Sequence, residues 1–377
     1  KGRGRPNTSH SSKVKAAGIT ALICARPDAD DLHEDVAADR LARAVSPDDV
    51  DFNRAATGRV NIRTRALGII RYDRDFVRRL NEVDEAITFA LVQHNQVLDA
   101  GQMAATLKII PFFVTEKSVK AIETLLAGAR AFSFHPLIGA DVALIQTRLA
   151  GQKDRLFSAT VAVTRDRLEQ LGCRLLHSRI CAHDRVAVAA QISACAAGGA
   201  KIILLCGGSA ITDRQDELPQ ALVLAGGVIE QFGLAVDPGN LLMLGRLGSA
   251  TSVGTYTDAP YVIGMPGCAR SPKLNGLDWV LQLILAKQPL DRRELAQLAA
   301  GGLLMEIASR PMPRALVTRQ LTPNRMAGIL LAAGSSQRMG AANKLLQPIN
   351  GKAMIRHVAE ALVTGLNSKT DASEIVV

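Results

Sequence analysis

Two stretches of this sequence place residue types that could do chemistry close together on one loop. The first is Gly207-Gly208-Ser209-Ala210-Ile211-Thr212-Asp213-Arg214-Gln215-Asp216, which follows the aliphatic run 201–206. Paired glycines at a strand end let the chain turn sharply and let a ligand approach the backbone. Ser209 and Thr212 add hydroxyl donors, and Asp213 and Asp216 could hold a magnesium ion, a ribose hydroxyl or an amine. A helix starting just beyond would turn its first amides towards a phosphate. The same residues equally make a tight turn with solvated side chains. A serine nucleophile is the weaker alternative, because an elbow of the form Gly-x-Ser-x-Gly needs glycine where Ile211 stands.

The second stretch runs from Met326-Ala327-Gly328-Ile329-Leu330-Leu331 into Ala332-Ala333-Gly334-Ser335-Ser336-Gln337-Arg338-Met339-Gly340, with Asn343-Lys344-Leu345-Leu346 behind it. Its physics suits a nucleoside triphosphate. Small residues at 332–334 keep side chains away, so loop amides can face phosphate oxygens. Arg338 offers a planar fork of donors and Lys344 a compact charge. It is not a Walker A loop, which ends in Gly-Lys-Ser/Thr.

The elements that must position these loops follow a regular rhythm. Strands are expected at 142–145, 174–180, 201–206 and 261–263, and helices at 156–171, 184–197, 218–232 and 277–285. Gly172 and Gly198-Gly199 serve as helix stops. That alternation predicts an α/β fold with a doubly wound, mostly parallel sheet, whose ligands bind beyond the carboxyl ends of the strands. Residues 1–135 read as a small α+β region. It has a strand at 18–24, a helix at 35–44 with Val36, Leu41 and Val45 on one face, a helix at 74–90, and a strand at 106–114 interrupted by Pro111. The sheet domain spans 136–300. A Pro/Arg-rich linker spans 301–325, with Pro311, Pro313 and Pro323 among Arg310, Arg314, Arg319 and Arg325. A new Rossmann-like domain starts at 326 and runs incomplete to 377. The chain opens on Lys1 and closes on Glu374-Ile375-Val376-Val377, half of a buried strand, so a fragment of a longer protein is expected.

Composition narrows the class. Hydrophobic residues make up 48% and aromatics only 3%, so the cores must be aliphatic and no base-stacking surface is expected. The net charge of +10 is partly carried by Lys1, Arg3, Arg5, Lys13 and Lys15 and suits nucleic acid and small phosphorylated anions equally, but the few aromatics argue against nucleic acid. Cysteines 24, 173, 181, 195, 206 and 268 form no C-x-x-C pair, and 173, 195 and 206 read as core residues. Cys268 has no identifiable partner base. No membrane span or signal peptide is visible, so a cytoplasmic protein is expected. His135, His177 and His183 read as structural.

The 207–216 loop resembles the Gly-Gly-Thr-Gly…Asp motif of the molybdopterin-binding family that includes the molybdopterin adenylyltransferases. Residues 138–290 follow that family's element order. Tyr261-Val262-Ile263-Gly264-Met265-Pro266-Gly267 resembles its apolar strand ending in Leu-Pro-Gly. The resemblance implies a molybdopterin site at Gly207, Gly208, Ser209, Asp213, Asp216, Pro266 and Gly267, with Arg270 and Lys273 as further cations. Ser209 stands where the family has Thr and Ala210 where it has Gly, which favours binding over adenylylation. The 331–346 string resembles the nucleotidyltransferases that attach CMP or GMP to molybdopterin. That implies that Gly334, Ser335, Arg338 and Lys344 hold the triphosphate and that Ala332 and Ala333 line the nucleotide pocket. Thr57-Gly58-Arg59-Val60-Asn61 and Gly101-Gln102-Met103 with Lys108 resemble the N-terminal extension of such fused proteins, with no roles implied.

Together these resemblances imply molybdenum cofactor biosynthesis: capture of molybdopterin and transfer of CMP from CTP with Mg2+. The recipient is a molybdoenzyme or its chaperone, and a homo-oligomer, by family a trimer, is expected. The family's magnesium-binding Asp-Met-Pro segment is not within this chain, so this fragment alone is expected to be inactive. Two alternatives stay open: a molybdopterin carrier without chemistry, and a nucleotidyltransferase acting on a sugar or isoprenoid phosphate.

Overall fold

The structure, a computed structural model, describes residues 16, 25–248, 259–304, 326–329, 346–367 and 373–376. The first region alternates short strands with helices. β1 (Asp31–His33) leads into α1 (Glu34–Val45), β2 (Val50–Phe52), β3 (Arg59–Thr64), β4 (Gly68–Arg71) and α2 (Arg74–Asn81). β5 (Ile87–Leu91), β6 (Val97–Leu98), β7 (Met103–Ile109), β8 (Phe113–Thr115), α3 (Glu116–Ala127) and β9 (Ser133–Pro136) complete it. The strands pair as β2-β3-β7-β5, β6-β4-β9 and β1-β8, all antiparallel. α1 buries Ala37, Ala38, Leu41, Ala42 and Val45. Val36, expected on that face, points outwards, because five residues before Leu41 lies about 140° round the helix.

Two expectations here are corrected. The helix beginning at Arg74 ends at Asn81, and β5 follows with Ile87 and Phe89 inward and Thr88 and Ala90 outward, a two-residue period that no helix shares. The Asn81 side chain holds both the N–H and the carbonyl of Phe89, tying the helix end to that strand. The strand expected at 106–114 is two strands in different sheets, divided at Pro111. The strand expected at 18–24 lies outside the described residues.

The second region is the sheet that carries the first glycine loop. Its elements are β10 (Asp141–Arg148), α4 (Asp154–Glu169), β11 (Arg174–Ala182), α5 (Arg185–Ala197), β12 (Ile202–Cys206) and α6 (Glu217–Leu224). β13 (Gly227–Phe232), β14 (Met243–Leu247), β15 (Tyr261–Gly264), α7 (Gly276–Leu285) and α8 (Arg292–Gln297) follow. The six strands run β11-β10-β12-β15-β14-β13, the first four parallel and the last two antiparallel. The fold is therefore mixed α/β around a largely parallel sheet, as the strand–helix rhythm implies.

The aliphatic runs are explained by burial on both faces. Val142 and Leu144 of β10, with Ile202 and Leu204 of β12, enter one core, while Ala143, Ile145, Ile203 and Leu205 enter the other. Each of these fully buried Val, Leu and Ile side chains contributes roughly 1.5–3 kcal/mol. The helix expected over 218–232 is corrected. It stops at Leu224, Gly226 takes a left-handed φ of 81°, and Gly227–Phe232 pairs with β14 as a strand.

The two regions have separate cores but belong to one compact unit that runs to Glu306. Ile69 packs into the sheet's core, the Ile138 N–H donates to the Leu285 carbonyl, and Arg71 reaches both Gln288 and Glu294. Residues 301–304, expected in a linker, still pair with the body: Gly302 accepts from the Asp237 N–H and Leu304 donates to its carbonyl.

The second unit, 307–377, holds β16 (Met326–Ile329), the hairpin β17 (Pro348–Ile349) and β18 (Lys352–Ala353), α9 (Met354–Asn367), and β19 (Ser373–Val376). β16 and β19 pair in parallel with α9 between them in sequence, so Glu374–Val376 of the closing run is in a strand, as expected. No helix among the described residues is long and apolar enough to cross a membrane.

Candidate functional site

The order of the parallel strands selects the site. The chain passes from β10 out to β11 and then crosses to β12 on the other side of β10. Between β10 and β12 the connections therefore diverge, which leaves a crevice beyond the carboxyl ends of these strands. A cleft of about 250 Å³ lies there, lined by Gln152, Leu156, Cys206, Gly207, Gly208, Ser209, Ala210, Met265, Gly267 and Arg270. That is room for a phosphate ester and part of a ring, at the small end of ligand sites. Another hollow, of about 320 Å³, is lined by Leu234–Asp237, Asn240, Ala299, Gly302 and Leu303, and brings one carboxylate but no cation.

The glycines of the loop are required by close approach rather than by a left-handed turn. A Cβ on Gly207 would meet the Ser209 carbonyl at 2.6 Å and Leu218 at 2.9 Å, and one on Gly208 would meet Leu149 at 2.9 Å. The Gly208 N–H donates to Thr147 Oγ1 at 2.8 Å. Gln152 turns its amide N–H towards the Gly208 carbonyl at 3.4 Å and accepts from Leu149 N, closing the β10 side.

Of the residues expected to hold molybdopterin, Gly207, Gly208, Ser209 and Gly267 line this cleft. Pro266 sits just before the one-turn helix Gly267–Arg270, which closes the other wall. Asp213 and Asp216 do not line it. Asp216 Oδ2 accepts from the N–H groups of Thr212 and Asp213 at 2.7 and 2.9 Å, and Asp213 accepts from Gln215 N. Those backbone donors, Thr212 first, hold the Asp216 carboxyl below the usual aspartate range. The Asp216 carboxylate thus holds amides of its own loop and makes no cap hydrogen bond to the first amides of α6, the ones expected to face a phosphate.

The charge in the cleft comes from Arg270. Its Nη2 donates to the Gly207 carbonyl at 2.6 Å, while Nη1 is buried with no hydrogen-bond partner among the described residues. Arg167, itself buried, fixes the segment that carries it: it donates to the carbonyls of Ala269 and Ser271 and to Asp278 Oδ1 at 2.6 Å. Burial pushes the Cys206 thiol up, with Arg270 partly offsetting it. Lys273 is exposed and does not line the cleft.

Two residues at the site, Thr147 and Gln152, were not singled out from sequence, and a third, His183, was given no role there. Thr147 is the last residue but one of β10, His183 lies just past β11, and Gln152 lies in the loop between β10 and α4. His183, read as structural, spans Thr147 Oγ1 (2.7 Å) and Ser209 Oγ (2.9 Å). The signal was available. Every one of them lies at or just past the carboxyl end of a parallel strand, but the strand expected to end at 180 runs to Ala182.

The residues present fit a phosphate ester: an unpartnered guanidinium arm and a hydroxyl, with Leu156 and Met265 as apolar walls. Three potential metal ligands among the described residues converge at His33, Glu34 and Asp35. Each already has a partner: His33 Nδ1 accepts from Asp35 N, Asp35 from Gly58 N, and Glu34 lies 3.7 Å from Lys108 Nζ. Ala332, Ala333, Gly334, Ser335, Arg338 and Lys344 lie outside the described residues.

No curated protein matches the chain. Among solved structures, one described as a molybdenum cofactor biosynthesis protein from Corynebacterium diphtheriae aligns with 44% of this chain and 99% of its own, at 14% identity and a TM-score of 0.28. Residues 328–372 match the family described as the MobA-like NTP transferase domain, the kind of domain that the Ala-Ala-Gly…Arg…Lys string resembles.

Proposed function

We propose that the strand-end cleft binds molybdopterin by its phosphate, and that the whole protein transfers CMP from CTP to it, releasing pyrophosphate. The observation that carries the binding half is Arg270. One arm is anchored on Gly207, and the other is buried beside the cleft with no acceptor, an arrangement that an anionic ligand completes. Ser209 adds a hydroxyl, Gly207, Gly208 and Gly267 let the ligand approach the backbone, and Leu156 and Met265 pack against its ring. Asp213 and Asp216 act one step back by shaping the loop.

For the transfer half, Gly334, Ser335, Arg338 and Lys344 hold the triphosphate, with Ala332 and Ala333 lining the nucleotide pocket. The match of 328–372 to an NTP transferase domain supports this. Mg2+ supplies charge neutralisation at the α-phosphate. The recipient molybdoenzyme or chaperone and a trimeric assembly belong to the same reading.

The test is calorimetric titration of purified molybdopterin into the chain and into Arg270→Ala. Micromolar binding that weakens at least about tenfold in the variant is expected. A folded chain that binds no molybdopterin removes the pterin assignment. A parallel titration with CTP, GTP and a sugar phosphate, in the chain and in Lys344→Ala, separates cytidylyl transfer from its alternatives. Molybdopterin binding without any nucleotide binding favours a carrier.

A further inference from the structure

We infer that His183 and Thr147 are positioning residues that turn the Ser209 hydroxyl into a hydrogen-bond donor aimed at an anion, next to the unpartnered arm of Arg270. The inference rests on reading this cleft as a ligand site, but it concerns an anionic oxygen of any phosphate ester and not the pterin.

Thr147, His183 and Ser209 form a chain of hydrogen bonds whose direction is forced at one end. Thr147 is buried, and its Oγ1 has two partners, Gly208 N and His183 Nδ1. The Gly208 amide can only donate, so that contact takes a lone pair of Oγ1. The hydroxyl proton of Thr147 then has one acceptor within reach, His183 Nδ1 at 2.7 Å. If Nδ1 instead carried a proton, Thr147 Oγ1 would accept twice and its own proton would be buried with no acceptor, the costly arrangement. Neutral His183 therefore bears its proton on Nε2 and donates it to Ser209 Oγ at 2.9 Å. Ser209 is left with its own O–H undirected by protein and exposed on the cleft wall.

This direction excludes the other use of a Ser–His contact. A general base must accept the serine proton on Nε2, and here Nε2 is the donor. The cleft is an anion receptor whose lining supplies two donors, the Ser209 hydroxyl and the Arg270 guanidinium, and not a hydrolase site.

The tautomer is measured directly by NMR of the whole chain with 15N-labelled histidine. There are seven histidines, and His183 is assigned by its loss in His183→Gln. A protonated Nε2 with a bare Nδ1 is expected, and a protonated Nδ1 overturns the inference.

The second arm titrates inorganic phosphate. Ser209→Ala and His183→Ala should each weaken it about tenfold, with the double variant no weaker than either, and His183→Gln, which keeps an N–H for Ser209, should recover most of the loss. Additive losses, an unaffected His183→Ala, or no phosphate binding by the folded wild type overturn it. Thermal melts of each variant show that the fold is intact. Phosphate binding without molybdopterin binding leaves this inference standing and removes only the pterin reading.

Discussion

Two loops in this protein place a glycine against a positively charged side chain, and they differ in what is left over. At Gly58, Lys108 Nζ donates to the carbonyls of Thr57 and Ile109, both at 2.6 Å, and faces Glu34 at 3.7 Å. Two carbonyls and a facing carboxylate engage the ammonium, and the Gly58 N–H is taken by Asp35 at 2.6 Å. At Gly207, Arg270 gives one arm to the loop and keeps the other buried and unpartnered. The first loop is closed chemistry whose ions hold the fold. The second leaves one donor of Arg270 without a partner among the described residues. In a molecule with many arginines, an unsatisfied buried donor marks a site better than charge does.

The largest effect should come from the support behind the second loop. Arg167→Leu leaves Asp278 buried without its cation and removes donors from the Ala269 and Ser271 carbonyls. A loss of about 3–5 kcal/mol in denaturant unfolding is expected, together with lost phosphate binding. A small loss would mean that the Gly267–Arg270 wall holds itself.

Lys108→Met probes the closed loop. It should cost about 2–3 kcal/mol of stability and leave phosphate affinity unchanged. A change in ligand affinity would break the contrast between the two loops.

Arg270→Leu should do the reverse. Phosphate affinity should fall about ten- to a hundredfold, while stability moves by less than about 1 kcal/mol. If unfolding shifts as far as in Lys108→Met, both cations are structural.

The smallest effect concerns Asp216, whose carboxyl is held low by the Thr212 and Asp213 amides. A depressed carboxyl stabilises the fold above its unfolded pKa and loses that contribution as pH falls through the lower folded value. Asp216→Asn should therefore cost less than about 1 kcal/mol at neutral pH, since the group is partly solvated. Its stability should converge with the wild type in acid below the ordinary aspartate pKa of about 3.9. Urea unfolding at several pH values checks both statements.

Much of the sheet was legible because its strands are buried on both faces. Val142–Ile145 and Ile202–Cys206 are aliphatic without interruption, and glycines punctuate the helices between them. β13 was not legible. Gly227–Phe232 follows α6 closely and carries residues that suit either element, so only pairing with β14 makes it a strand. β5 was hidden similarly, its two-residue period being too short to stand out beside a charged helix.

Local sequence by itself determined the glycine loop at the end of β12, the Pro-Gly turn after β15 and the strand that begins at Met326, since each depends on neighbours along the chain. Tertiary structure alone decided which donors remain available. Asp216 turned inward to its own loop, Arg270 was left with one arm unengaged, and His183 was brought 26 residues back along the chain to meet Ser209. Hydrogen-bond satisfaction is a property of what surrounds a group in space, and residues far apart in sequence supply those surroundings.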